Sequence, residues 1–183
     1  MLDKNITLES KRLHFRPLVQ SDCNQTYLNW LEDVNINQYL ETRWSKQSIE
    51  AIWQFVDSVN ESQHSFLFAI IHKKTDKHIG NIKLGPINPH HQYADISYFI
   101  GDREAWGQGF ATEAIKTVTD FGLTQLGLEL IQAGVYSGNV GSAKALIKSG
   151  YEEQGRVKNK FITVQGTRED HIWYVINRGS NFL

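Results

Sequence analysis

Tyr93-Ala94-Asp95-Ile96-Ser97-Tyr98-Phe99-Ile100-Gly101-Asp102-Arg103-Glu104-Ala105-Trp106-Gly107-Gln108-Gly109-Phe110-Ala111-Thr112-Glu113-Ala114 is the stretch from which the fold follows. It reads as a strand, a short loop, a glycine-spaced turn and the first turn of a helix. Glycines at such a junction leave backbone N–H groups uncovered, and the positive end of the helix dipole lies beside them, which suits a phosphate. Two common phosphate-binding patterns do not fit. A P-loop needs Gly-Lys-Ser/Thr at the turn, and no such tripeptide occurs. A dinucleotide fold needs a third spaced glycine and an acid closing the next strand. Here position 112 is Thr, and the next apolar run, Leu130 to Tyr136, leads into Ser137. Close packing of strand on helix would also call for small residues, so the rest of the chain must decide.

Composition narrows the field. At 183 residues, the chain suits a single domain over 1–183 with a core of its own. Nineteen basic against twenty acidic side chains leave a net charge of −1, so no footprint for nucleic acid stands out. The single cysteine, Cys23, excludes an intrachain disulfide and reads as a packed thiol. Residues Met1 to Arg12 lack the apolar core of a signal peptide, and no apolar run reaches membrane-spanning length. The expectation is a soluble, cytoplasmic protein without a membrane partner. His90 and His91 are adjacent and lack metal-ligand spacing to a third residue, so no metal is expected.

Along the chain, apolar periodicity alternates between two and 3.6 residues. Strands are expected at Leu13–Leu18, Phe66–Ile71, Ile79–Leu84, Tyr93–Ile100, Leu130–Tyr136, near Gly155–Val164 and at Arg168–Ile176. Helices are expected from a cap at Ser21 or Asp22 to about Leu31, and from Ser45 or Ser48 through Val56. Two more are expected over Ala111–Phe121 and Ser142–Ser149, the last ending at Gly150. This order predicts an α/β architecture, a mixed central sheet with helices on both faces.

Four motifs in sequence then resemble one family. Trp106-Gly107-Gln108-Gly109-Phe110-Ala111 resembles the acetyl-CoA pyrophosphate loop, Gln/Arg-x-x-Gly-x-Gly/Ala, of the GNAT superfamily of N-acetyltransferases. Trp106 departs from Gln/Arg, and Trp-Gly-x-Gly-aromatic-Ala-Thr-Glu-Ala is how the ribosomal-protein-alanine acetyltransferase branch reads. Asn139-Val140-Gly141-Ser142 followed by Lys148-Ser149-Gly150-Tyr151 is similar to that branch's Asn-x-x-Ser and Lys-x-Gly-aromatic. Asp170-His171-Ile172-Trp173-Tyr174 and Arg12-Leu13-His14-Phe15-Arg16-Pro17 resemble its closing and opening motifs. The resemblance covers nearly the whole chain.

It implies acetyl-CoA as cosubstrate and direct attack of an amine on the thioester. Gly107, Gln108, Gly109, Phe110, Ala111 and Thr112 would hold the pyrophosphate. Phe99 and Ile100 would lie beside the pantetheine arm in a gap between the two neighbouring strands, with the Ile100 N–H facing the thioester oxygen. Asn139 would fix the arm or the amine. Ser142 would donate a proton to sulfur, its competing role being a helix cap. Tyr151 and Tyr136 stand as reserve donors. Asp95 is the candidate base through water, while Gln154 replaces a glutamate often found in the branch.

The acceptor side draws on Trp30, Arg43, Trp44, His90 and His91, aromatics for stacking and Arg43 for a phosphate. A nucleotide-linked amino sugar is the expected acceptor, and a protein N-terminus or a polyamine the alternative. A non-catalytic acyl-CoA sensor is the competing class. Monomer and homodimer both fit the sequence.

Overall fold

The computed structural model describes residues 4–179. Its strands are β1 (Leu8–Glu9), β2 (Leu13–Pro17), β3 (Phe66–His72), β4 (Lys77–Asn88), β5 (Tyr93–Ile100), β6 (Leu130–Tyr136), β7 (Glu152–Ile162) and β8 (Arg168–Asn177). The helices are α1 (Gln25–Glu32), α2 (Val34–Asn37), α3 (Ile49–Glu61), α4 (Phe110–Asp120) and α5 (Val140–Lys148). All eight strands join in the order β1-β2-β3-β4-β5-β6-β8-β7. Every neighbouring pair is antiparallel except β5 with β6.

The near-continuous apolar run of β3 explains the layering. Phe66, Phe68 and Ile70 pack on one face with Phe110, Ile115 and Phe121. Leu67, Ala69 and Ile71 pack on the other with Tyr27, Trp30, Ile52 and Val56. A strand apolar at every position is one covered on both sides. Helices α4 and α5 thus cover one face and α1 with α3 the other.

Several boundaries differ from the sequence expectation for local reasons. Helix α1 starts two or three residues late because Asp22 is already committed. Its carboxylate takes two bonds from Arg16, at 2.6 and 2.8 Å, and one from Val19 N–H at 2.9 Å. Asn24 caps α1 instead, accepting from Thr26 and Tyr27. Strand β4 runs past Leu84 because a register shift between Leu84 and Ile87 absorbs Gly85-Pro86, after which Ile87 and Asn88 pair with Ala94 and Tyr93. Two-residue β1, one-turn α2 and a 3-10 turn at Glu41–Trp44 are too short to leave a periodic signal.

Candidate active site

The parallel pair at the centre of the sheet is incomplete. Strand β5 is registered on β6 only through Tyr93↔Leu130, Ala94↔Ile131 and Asp95↔Gln132, although β5 continues to Ile100 and β6 to Tyr136. The strands therefore part like a V beyond Asp95. Gly101 N–H bonds Ile79 O at 2.9 Å and Leu130 N–H bonds Gln92 O at 3.3 Å. By strand alternation, the odd residues of β5 bond to β4, while Tyr98 and Ile100 turn their N–H groups into the opening. Trp106 Nε1 donates to Ile100 O at 2.8 Å, closing off the last carbonyl of the strand. That bond gives Trp106 a reason to stand in the loop.

At the wide end of the V lies the glycine turn. Gly107 and Gly109 adopt φ of 74° and 79°, in the left-handed region that favours glycine. A side chain at Gly107 would project into open space, so close packing is not what selects glycine there. Helix α4 has no side-chain cap, and among the described residues no backbone N–H from Gly107 to Thr112 makes a well-formed hydrogen bond to another backbone group. Uncapped donors on a helix N-terminus fit a pyrophosphate. Arg12 adds a cation: its Nη1 bonds Gln108 O at 2.9 Å and its Nε bonds Glu113 at 2.6 Å. Burial raises the Glu113 carboxyl, but bonds from Ser10, the Arg12 N–H and the Arg12 guanidinium outweigh it and hold the group below its ordinary range. Glu113 thereby fastens the first turn of α4 to the β1–β2 connection.

From the V, a cavity of about 870 Å³ opens toward α1, α3 and the Glu41–Trp44 turn. Phe99, Asn139 and Ser142 line it, with Tyr98, Tyr136 and Phe161. Asn139 is the cap of α5, its Oδ1 accepting from Ser142 N–H at 3.2 Å. The Ser142 hydroxyl is thus not needed as a cap. It lies 2.8 Å from the Tyr98 hydroxyl, which also reaches Ser142 O at 3.2 Å. Burial pushes the Tyr98 phenol well above its ordinary range, partly opposed by Ser142, so it stays protonated.

A GNAT acetyltransferase domain matches residues 12–152. The chain belongs to the GNAT acetyltransferase family. It is 28% identical over 158 residues to an N-acetyltransferase, p20, of Bacillus licheniformis, covering 84% of this chain and 86% of that protein. Spermidine N-acetyltransferase from Vibrio cholerae in complex with CoA and spermine superposes with a TM-score of 0.82 at 22% identity, over 93% of this chain and 98% of that one. RimJ of Mycobacterium smegmatis in complex with CoA-disulfide superposes at 0.80 and 18% identity, over 94% and 88%. Family and relatives make this chain an acyltransferase.

Other residues expected at this GNAT site lie elsewhere. Trp30 is buried among Tyr27, His78 and Phe99, and an added Cβ at Gly101 would strike its ring, so it seats the end of β5. Arg43 is spent on structure: its Nη2 bonds Tyr136 Oη at 2.6 Å and Ile162 O at 3.0 Å, and its Nη1 bonds Leu40 O at 2.9 Å. Trp44 stacks on the outside of Arg43 at 4.5 Å, away from the cavity wall. His90 and His91 are exposed in the β4–β5 loop, where Asn88 Oδ1 accepts from both backbones. Tyr151 is buried in the core, its hydroxyl 2.7 Å from Thr119, and does not reach the cavity. Asp95 sits at the closed end of the V, accepting from Gln132 at 2.7 Å, off the cavity wall. Glu41 is the carboxylate on that wall, bonded by Tyr136 Oη at 2.7 Å. Cys23 is buried, its thiol pushed up to about 11 by burial and by Asp22, hence inert. Among the described residues no cluster of three or more His, Cys, Asp or Glu could hold a metal, and no helix is long and apolar enough to cross a membrane.

Proposed function

We propose that the chain moves the acetyl group of acetyl-CoA to a primary amine by direct attack on the thioester. One observation carries this reading: the uncapped N–H cradle, the unpaired edge of β5 and the Ser142–Tyr98 hydroxyl pair all meet at one V-shaped gap. The N–H groups of Gly107–Thr112 hold the pyrophosphate, with Arg12 beside them. The open edge of β5 pairs with the pantetheine arm as a strand would, flanked by Phe99. Ile100 N–H donates to the thioester oxygen as negative charge gathers there.

Transfer forms a C–N bond and breaks a C–S bond, so the amine must lose a proton and the sulfur gain one. Ser142 Oγ gives the proton to sulfur. When Tyr98 donates across the 2.8 Å contact instead of to Ser142 O, the Ser142 hydrogen is free to point into the gap. On the amine side, Glu41 is the carboxylate that lines the cavity and takes the proton through water in preference to Asp95.

Tyr39, Tyr136 and Phe161 line the same cavity, which supports an amino sugar as acceptor. Lys46 and Lys83 against the single Glu41 disfavour a polyamine, although an enzyme of similar fold is named for spermidine. Gly109→Asp tests the cradle by placing a carboxylate beside the pyrophosphate. Calorimetry should show acetyl-CoA affinity falling at least ~10-fold. Unchanged affinity rejects the placement.

A further inference from the structure

The wall of the cavity opposite the hydroxyl pair carries donors with nothing to donate to. Asn81 and Lys83 lie on β4, paired with Phe99 and Ser97 of β5, on the sheet face covered by α1 and α3. Asn81 is 3% exposed, and its Nδ2 has no hydrogen-bond partner. The orientation of this amide follows from His78. His78 Nε2 lies 3.0 Å from Gly80 O, which can only accept, so Nε2 carries the hydrogen. The Asn81 atom 2.7 Å from the same Nε2 must then be oxygen, which leaves the NH2 turned away from His78. Tyr27 is near enough for Asn81 to act on its phenol, yet the two do not meet hydrogen-bond geometry.

Lys83 is half-buried on the same wall. Among the described residues it makes no hydrogen bond or ion pair, and the facing Ser97 hydroxyl makes none either. Leaving the buried Asn81 amide N–H2 unpaired carries a desolvation penalty, while the half-buried Lys83 ammonium has only solvent to pair with. An acceptor group entering the cavity would remove that penalty. The phosphates of CoA are not the group that pairs with them, because none of the proposed cradle residues Gly107–Thr112 lines this cavity.

We infer that Asn81, Lys83 and Ser97 form a subsite for an oxyanion on the acceptor, so that the amine acetylated belongs to a molecule carrying a carboxylate or a phosphate. Two donors and a cation repel an ammonium and complement an anion. The Lys83 charge also favours the neutral, attacking form of an amine bound nearby. This inference rests on the acyl-transfer reading only for the word acceptor; the anion subsite itself is a binding property.

Binding to the CoA-saturated protein tests it independently of turnover. Calorimetry would compare glucosamine 6-phosphate with glucosamine, and alanine with alaninamide. At least one charged partner should bind ~10-fold or more tightly than its neutral twin, and the pair showing this tells phosphate from carboxylate. Lys83→Met should bring that pair to parity while Lys83→Arg keeps the difference; CoA affinity serves as the folding control for both. Parity in the unaltered protein for both pairs, or discrimination that survives Lys83→Met, overturns the subsite. Charge discrimination with no acetylation of any amine would leave the subsite standing and reject the acyl-transfer reading alone.

Discussion

At the scale of single residues, Ser142 and Tyr98 divide a task that one hydroxyl would do poorly. Ser142 faces the gap, while Tyr98, raised by burial, remains a donor behind it. A positioned general acid contributes ~10²–10⁴-fold. Ser142→Ala should therefore cut kcat by ~10- to 100-fold with acetyl-CoA affinity retained, and Tyr98→Phe by a smaller factor. Steady-state kinetics with a thiol-detecting reagent checks both, and unaltered turnover across pH removes Ser142 as the acid. The sequence showed Ser142 and Asn139 because their spacing sits in a motif. Tyr98 left no such trace, since an aromatic on a strand reads as core. Asn81 and Lys83 did leave one: polar residues alternating with Ile82 and Leu84 on a strand covered on both faces are out of place unless something pairs with them.

At the scale of elements, two ties set the shape of the site. Glu113 joins the first turn of α4 to Ser10 and Arg12, with contacts at 2.7, 2.7 and 2.6 Å. Glu113→Ala should lower stability by ~2 kcal/mol, within the range for bonds to a charged group, and weaken acetyl-CoA binding by loosening the cradle. Urea unfolding and calorimetry would measure the two effects. The held carboxylate stabilises the fold above its ordinary pKa of 4.5 and loses that contribution as pH falls, so the variant should also show a flatter acid limb. Arg43 is the second tie, strapping the Glu41–Trp44 turn to Tyr136 and Ile162 across the cavity mouth. Arg43→Met should raise the acceptor KM several-fold and leave acetyl-CoA affinity as it was. In sequence, Arg43 looked like a phosphate ligand; only the return of β7 beside the turn reveals carbonyls within its reach. Strands β5 and β6, by contrast, were legible to the residue, because Gly101 marks the end of β5 and Gly127 and Gly138 bracket β6.

At the scale of the molecule, the burial that builds the core sets an upper pH limit. Tyr27, Tyr98 and Tyr151 are all raised above the ordinary phenol value of 10.0, burial being the main cause in each. Their protonated forms support the fold below that value, and support is lost as pH rises through it, because only the unfolded chain ionises freely. Stability should fall above about pH 10 by up to ~1.4 kcal/mol per pH unit for each phenol. Urea midpoints across the alkaline range would show this, with a shallower decline in Tyr98→Phe. The mixed sheet itself could be anticipated from the alternation of elements; the gap between its two central strands was expected only from the family resemblance, not from periodicity. That β5 and β6 part after Asp95 depends on three-dimensional register, which no periodicity records.

The V between these strands is where the account is most exposed. Incubating the protein with acetyl-CoA and a panel of nucleotide-linked amino sugars, phosphorylated amino sugars, amino acids, N-terminal peptides and polyamines, while following free thiol and acetylated product by mass, tests it directly. The prediction is release of CoA thiol matched one for one by an N-acetylated amine. Tight acetyl-CoA binding with no thiol released by any amine would contradict it.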